Sequence, residues 1–216
     1  MIINSIIEII TNNWPMLLIF IVIVTSLRIT YLIINHERFI FYKEILALLF
    51  VIYILSLFYT VTFEDVSWST SNFVPFKEMF RYAFMSSSFI KNVTGNIIIL
   101  MPYGLYVPYL LKTNKASIIM FLTLLISLTI EFTQLAIGRV FDIDDIMLNV
   151  LGGLLGYLMY EVVKKTEKRL PSFLRKHWLY NIIIGIIVLL GMIYLATILG
   201  VKLWIILEYL MKHQLK

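Results

Sequence analysis

The chain has 216 residues, of which 61% are hydrophobic and only 14% are charged, an apolar excess beyond what the core of a soluble protein needs. We therefore expect an all-α integral membrane protein. The absence of cysteine excludes disulfide scaffolds, thiolate metal sites and cysteine nucleophiles. The net charge of +5 is explained by basic loops at the membrane surface, so no nucleic-acid partner is expected.

Six apolar stretches predict a polytopic transmembrane helix bundle of about six spans. A helix needs about 20 mostly apolar residues to cross roughly 30 Å of hydrocarbon. In chain order, the predicted spans cover approximately residues 14–34, 45–63, 92–111, 116–136, 146–163 and 181–201.

The positive residues of the loops predict which side of the membrane each loop faces, because Lys and Arg near span ends are retained in the cytoplasm. If the N terminus lies outside, the inner loops contain 11 of the 18 basic residues. The densest basic run, residues 164–176, is then an inner connector that follows the fifth span. This topology places residues 64–91 and 137–145 on the outer side.

Polar residues inside three of the predicted spans share helix faces and converge on that outer side. Residues three or four positions apart in a helix lie on one face. The three pairs are Asn92 with Asn96, Glu131 with Gln134, and Asp145 with Asn149. They could form a binding site, or they could be interhelical hydrogen bonds that each contribute about 1 kcal/mol to the bundle.

Glu131 needs a specific explanation, because a carboxylate inside a span must be paired, hydrated or protonated. Arg139 is its candidate partner, since Gly138 permits the intervening loop to fold back. The pair could be an inert ion pair or a polarised binding site. Asp142, Asp144 and Asp145 could equally be plain loop acids, with Asp142 or Asp144 capping the fifth helix at its N terminus.

Three acids in this short segment, Asp142, Asp144 and Asp145, also raise the possibility of a divalent cation, since Ca²⁺ and Mg²⁺ prefer carboxylate oxygens. The segment lacks the glycine and the distal glutamate of an EF-hand loop. We therefore assign no metal ligands.

Glycines and prolines predict how the spans pack. Gly152, Gly153 and Gly156 form a small-residue face on the fifth span, which allows the third or fourth span to approach closely within one molecule. Pro102 and Pro108 lie within the third span, where proline removes a backbone hydrogen bond. We expect that span to be kinked or broken.

An ordered set of short motifs lies between residues 45 and 163. The motifs are Asn72-Phe73-Val74-Pro75-Phe76, Asn92-Val93-Thr94-Gly95-Asn96, Met101-Pro102-Tyr103-Gly104, Glu131-Phe132-Thr133-Gln134, Arg139-Val140-Phe141-Asp142-Ile143-Asp144-Asp145 and Asn149-Val150-Leu151-Gly152-Gly153. Together they resemble the VanZ-like family, and the specificity comes from their order along the chain. Residues 1–44 and 164–216 then form an additional N-terminal span with its inner loop and a basic loop with an additional C-terminal span.

The resemblance implies a multi-pass protein of the bacterial cell membrane that contributes to resistance to the lipoglycopeptide teicoplanin. The hypothesis is a polar ligand site near the outer leaflet, and the sequence identifies no cofactor and no assured catalytic residue. Its expected partner is a membrane lipid, with a cell-wall lipid precursor or a lipoglycopeptide as candidates. The candidate ligand-binding residues are Asn92, Asn96, Glu131, Gln134, Arg139, Asp144, Asp145 and Asn149.

Two other functions remain open from the sequence. One is an enzyme that acts on a cell-envelope lipid intermediate, with Glu131 or Asp145 as general base and Arg139 stabilising negative charge. The other is a structural membrane subunit, which would tolerate Glu131→Gln. An enzyme would change a purified lipid, whereas a binding protein would leave it intact.

Overall fold

The computed structural model describes residues 2–63, 71–77 and 79–214, and it describes side chains within 18–62, 71–77, 79–194 and 197. These residues form six helices, and the described part of the chain contains no strand. The helices are α1 (Ile2–Ile34), α2 (Phe41–Phe63), α3 (Ser87–Leu111), α4 (Ala116–Ala136), α5 (Ile143–Arg169) and α6 (His177–Gln214). The predicted all-α bundle is confirmed.

Five helices are long and apolar enough to cross a membrane. Their most apolar windows have mean hydropathies between 1.3 and 2.4. The qualifying segments are Phe41–Thr62, Ser87–Leu111, Ala116–Ala136, Ile143–Arg169 and His177–Tyr194, and a shorter apolar segment, Leu18–Ile34, belongs to α1. The chain is therefore a multi-pass membrane protein.

Capping explains why two helices begin earlier than the apolar stretches predict. The Ser86 hydroxyl accepts a hydrogen bond from the Phe89 N–H (3.1 Å), and α3 begins at Ser87, five residues before the predicted start. The Asp142 carboxylate accepts from the Asp144 N–H (2.8 Å), and α5 begins at Ile143. Hydropathy detects the apolar part of a helix, whereas the cap fixes where its first turn forms.

Helix α5 lies at the centre of the bundle and packs most extensively against α3 and then α4. A Cβ atom on Gly152 would overlap the Ile97 carbonyl of α3, and one on Gly153 would overlap the Thr123 side chain of α4. Gly104 of α3 is equally close to the backbone of Gly153. The prediction that this glycine face packs within the molecule is confirmed.

Helix α3 remains α-helical from Gly95 to Leu111 through both prolines, so the expected break does not occur. Its irregular part is a π-helical turn at Ile90–Thr94. Such turns insert an extra residue into a helix and change which side chains face a given direction. This one contains Asn92, the first of the polar residues predicted to form a site.

Candidate functional site

A polar cavity of about 420 Å³ lies where α3 begins, α4 ends and α5 begins. Residues of the segments 71–77 and 79–82 close its remaining side. Charged side chains of both signs line the cavity, namely Lys77, Arg81, Arg139, Asp142, Asp144 and Asp145. We call this space the polar cavity. Its mixture of charges suits a ligand that carries both donors and acceptors.

Asn72 fastens the segment 71–77 to the start of α5. Its backbone N–H donates to the Phe141 carbonyl (2.8 Å), and its carbonyl accepts from the Ile143 N–H (3.1 Å). Its side-chain amide donates to the Asp142 carboxylate (2.9 Å), and its side-chain oxygen accepts from the Val74 N–H (3.1 Å). Asn72 is buried, and these contacts form a short bridge that fixes one wall of the polar cavity.

Asp144 fixes the next turn of the same segment. The Phe76 N–H donates to one carboxylate oxygen (2.5 Å), and the Met79 N–H donates to the other (3.2 Å). The residue is only 1% exposed. A buried carboxylate that accepts backbone N–H groups orders the loop that donates them. Asp144 lines the polar cavity, but its side chain is already engaged in holding the loop.

Glu131 lies behind the polar cavity, at 1% exposure in α4. Its carboxylate accepts a hydrogen bond from the Asp142 N–H (2.8 Å), which ties the last turns of α4 to the cap of α5. The structure differs here from the predicted pair with Arg139, whose guanidinium donates to the Val61 carbonyl of α2 (3.3 Å). The loop folds back, as expected, and brings the backbone N–H of Asp142 to the Glu131 carboxylate.

Asp145 has a different environment, since its carboxylate lines the polar cavity and accepts a hydrogen bond from the Asn96 amide of α3. Neighbouring Asp144 accepts from two backbone N–H groups, whereas the described hydrogen bond of Asp145 comes from a side chain. A carboxylate held by one amide retains acceptor capacity for another group. Asp145 is the acid best placed to contact a ligand.

Deeper in the bundle, a buried polar row runs along α4 through Thr123 and Ser127 to Glu131. Asn149 of α5 donates to the Ser127 hydroxyl (2.9 Å). The side-chain oxygen of Asn149 is buried and has no hydrogen-bond partner among the described residues. Asn149 thus acts as an interhelical contact below the polar cavity rather than as part of its wall.

The structure brings all eight predicted site residues to one end of the bundle but divides them into two layers. Five line the polar cavity: Asn92, Gln134, Arg139, Asp144 and Asp145. Asn96 and Glu131 lie behind the cavity and hydrogen-bond to residues of its wall, whereas Asn149 lies deeper and bonds to Ser127. Capping of α5 by Asp142 is confirmed.

Sequence reasoning missed Lys77, Arg81 and Asn72 as part of this region. A local signal for Asn72 was present. Asparagine side chains often accept a hydrogen bond from the backbone N–H two residues later, and an asparagine close to a proline such as Pro75 is typical of a turn. Nothing local to Lys77 or Arg81 indicates that their loop folds over the ends of three helices. Among the described residues, no three His, Asp or Glu side chains are grouped so as to hold a metal ion.

Comparison with known proteins gives one match. A family model described as VanZ/LLP1 matches residues 44–164, which is more than half of the chain. The matched range runs from the start of α2 to near the end of α5 and contains the whole polar cavity. No curated protein and no solved structure matches.

Proposed function

Because the chain belongs to the VanZ/LLP1 family, we propose that this multi-pass membrane protein contributes to lipoglycopeptide (teicoplanin) resistance in a bacterial cell membrane. In this proposal it binds a polar headgroup in the polar cavity, near the outer leaflet. The observation that carries the proposal is the cavity itself, in which Lys77 and Arg139 face the same space as Asp145.

The charges of the polar cavity favour a headgroup with acidic and hydroxyl or amine groups together. Arginine and lysine donate to phosphate or carboxylate oxygens, and a carboxylate accepts from ammonium or hydroxyl groups. Lipid-linked cell-wall precursors and lipoglycopeptides both combine such groups with an acyl or prenyl chain. A binding protein at the leaflet surface would alter what the drug meets there.

The segment that closes the polar cavity also offers an apolar surface for such a chain. Phe73, Phe80 and Phe84 are exposed by 67%, 82% and 81% of their surface. Large exposed apolar patches mark surfaces that contact membranes or partners. These rings lie next to Lys77 and Arg81 in the chain, so a lipid could place its headgroup in the cavity and its chain against the phenylalanines.

The test compares teicoplanin and vancomycin susceptibility of cells that express wild type or Asp145→Asn at equal membrane levels. We expect a teicoplanin-selective decrease in susceptibility with wild type and its loss with Asp145→Asn. Glu167→Gln is the matched control, because it removes the same charge from an exposed position on α5 far from the polar cavity. No shift with wild type, or an unchanged shift with Asp145→Asn, would contradict the proposal.

Asp145 also supports the alternative of an enzyme acting on a cell-envelope lipid intermediate. Its carboxylate shares the polar cavity with Arg139 and Gln134, so a base and donors for a developing negative charge lie around one space. Incubation of purified protein with lipid-linked precursor distinguishes the two functions. An enzyme yields a new lipid species by mass spectrometry with wild type and none with Asp145→Asn, whereas a binding protein leaves the lipid intact.

A further inference from the structure

A second cavity, of about 510 Å³, lies at the opposite end of the bundle from the polar cavity. Its lining includes Lys43 of α2, Lys112 just after α3, and Lys164 of α5. Tyr109, Leu110, Asn114 and Tyr160 complete its walls. We call this space the lysine cleft. Three lysines from three separate elements thus line one space between helices.

The seven described residues that line the lysine cleft include three lysines and no aspartate or glutamate, while Glu44 and Glu167 lie close enough to act electrostatically on the lining Tyr109. Glu44, next to Lys43, is paired with Arg28 of α1 (2.8 Å). Glu161 lies one turn before Lys164 on α5 but does not line the cleft. Converging ammonium groups repel one another, so an anion between them would be stabilised by all three.

Several contacts hold Lys164 and the loop between α3 and α4 in place. The Lys164 ammonium donates to the Asn114 side chain and lies over the Tyr160 ring, 5.4 Å from its centroid. The Tyr157 hydroxyl donates to the Asn114 carbonyl (2.7 Å). The connection that carries Lys112 is therefore fastened to α5, and the cleft keeps its shape without a ligand.

The walls of the lysine cleft also match the two parts of a lipid. Tyr109 and Leu110 are 41% and 50% exposed at the end of a membrane-spanning helix, so an acyl chain could pack beside them. Tyrosine is enriched where hydrocarbon meets headgroups. The volume lies within the range of about 300–1,000 Å³ that is typical of small-molecule sites. The basic loops predict that this end of the bundle faces the cytoplasm, where anionic headgroups attract lysine.

We propose that the lysine cleft binds the phosphate of an anionic glycerophospholipid in the inner leaflet, with Lys43, Lys112 and Lys164 as its ligands. This site is separate from the polar cavity and does not depend on the function proposed for it. The lipid would contact α2, α3 and α5 at one end of the bundle.

The test is native mass spectrometry of the full-length protein in non-ionic detergent, titrated with phosphatidylglycerol or phosphatidylcholine of the same acyl chains. Wild type should bind phosphatidylglycerol about tenfold more tightly than phosphatidylcholine, a difference of about 1.4 kcal/mol in binding free energy. The triple variant Lys43→Gln, Lys112→Gln, Lys164→Gln should lose this preference. The triple arginine variant of the same positions keeps the charge and should retain it, which separates loss of binding from misfolding.

The matched control removes three lysines from the same end of the molecule but outside the cleft, by Lys165→Gln, Lys168→Gln and Lys176→Gln. All three side chains are exposed, and we expect retention within about twofold of wild type. Equal weakening in the two triple glutamine variants would overturn the proposal in favour of a diffuse surface charge. Displacement of the lipid by inorganic phosphate or glycerol phosphate at equal concentration would overturn the assignment to a lipid.

Discussion

The polar cavity and the lysine cleft lie at opposite ends of the same helices, yet they position charge by different means. At the polar cavity, buried carboxylates accept backbone N–H groups, so Asp144 in its wall and Glu131 behind it define where the loops lie. In the lysine cleft, side chains with exposed or half-buried stems approach an open space, and Lys164 is held mainly through Asn114.

The difference shows at which charged residues a substitution can remove binding without also destabilising the fold. A buried carboxylate that satisfies backbone donors cannot be removed without leaving those donors unpaired. A surface ammonium can lose its charge at little cost to stability, because exposed charge pairs contribute little. Structural and binding roles are therefore mixed within the polar cavity, whereas the lysines of the cleft can be tested with the fold intact.

The largest effect should come from Gly152→Val, which acts on both ends at once. The new side chain would overlap the Ile97 carbonyl and push α3 away from α5, the two helices that connect the polar cavity to the lysine cleft. We expect a loss of about 3 kcal/mol in unfolding free energy, at the upper end of overpacking effects. The thermal unfolding temperature in detergent should fall, and both teicoplanin protection and phosphatidylglycerol retention should disappear.

Gly185→Val in α6 is the control for this substitution, because a Cβ atom at Gly185 meets no atom within 4 Å. It should unfold at the wild-type temperature. If the two valine variants behave alike, close packing of α3 against α5 does not hold the two ends together.

Asp144→Ala should damage only the polar cavity. It leaves the N–H groups of Phe76 and Met79 without their acceptor, at a cost of about 2–3 kcal/mol. The freed loop should become susceptible to trypsin after Lys77 while phosphatidylglycerol retention stays near the wild-type value. Asp145→Ala is the comparison, since its described hydrogen bond comes from the Asn96 side chain, and its loop should stay protected. Equal cleavage of the two variants would contradict the separation of roles.

The convergence of Asn92, Gln134 and Asp145 could be predicted from the sequence, because helical periodicity and alternating direction determine which ends meet. The same reasoning could not assign Glu131 to a backbone N–H. That contact depends on how residues 137–142 fold, and Arg139 lies closer to Glu131 in the sequence than Asp142 does.

The lysine cleft could not be predicted for a related reason. Lys43, Lys112 and Lys164 are far apart in the sequence, and each one alone is an ordinary positive residue near a span end. Only the arrangement of the helices, in which α2 runs opposite to α3 and α5, brings them to one space. The glycine face of α5 was predictable, since small residues four positions apart need no long-range information.

Salt should affect the lysine cleft more than the polar cavity. The Debye length shortens from about 30 Å to about 3 Å between roughly 0.01 M and 1 M salt, and exposed charges are screened more than buried ones. We expect retention of phosphatidylglycerol to fall roughly tenfold across this range. Trypsin protection of the loop at Lys77 should be unchanged, because Asp144 is buried. Salt-insensitive lipid retention would show that the acyl chain, and not the lysines, dominates binding.

The smallest effect should come from Asn114→Ala, which tests how far the shape of the lysine cleft depends on one contact. The alanine keeps the backbone carbonyl that accepts from Tyr157 and removes only the side-chain acceptor of Lys164. One exposed hydrogen bond contributes about 0.5–1 kcal/mol, so phosphatidylglycerol affinity should fall about two- to fivefold. Thr113→Ala in the same loop removes a contact to the Lys115 N–H instead and should leave affinity unchanged. A loss as large as that of the triple lysine variant would mean that Asn114, rather than the charges, forms the site.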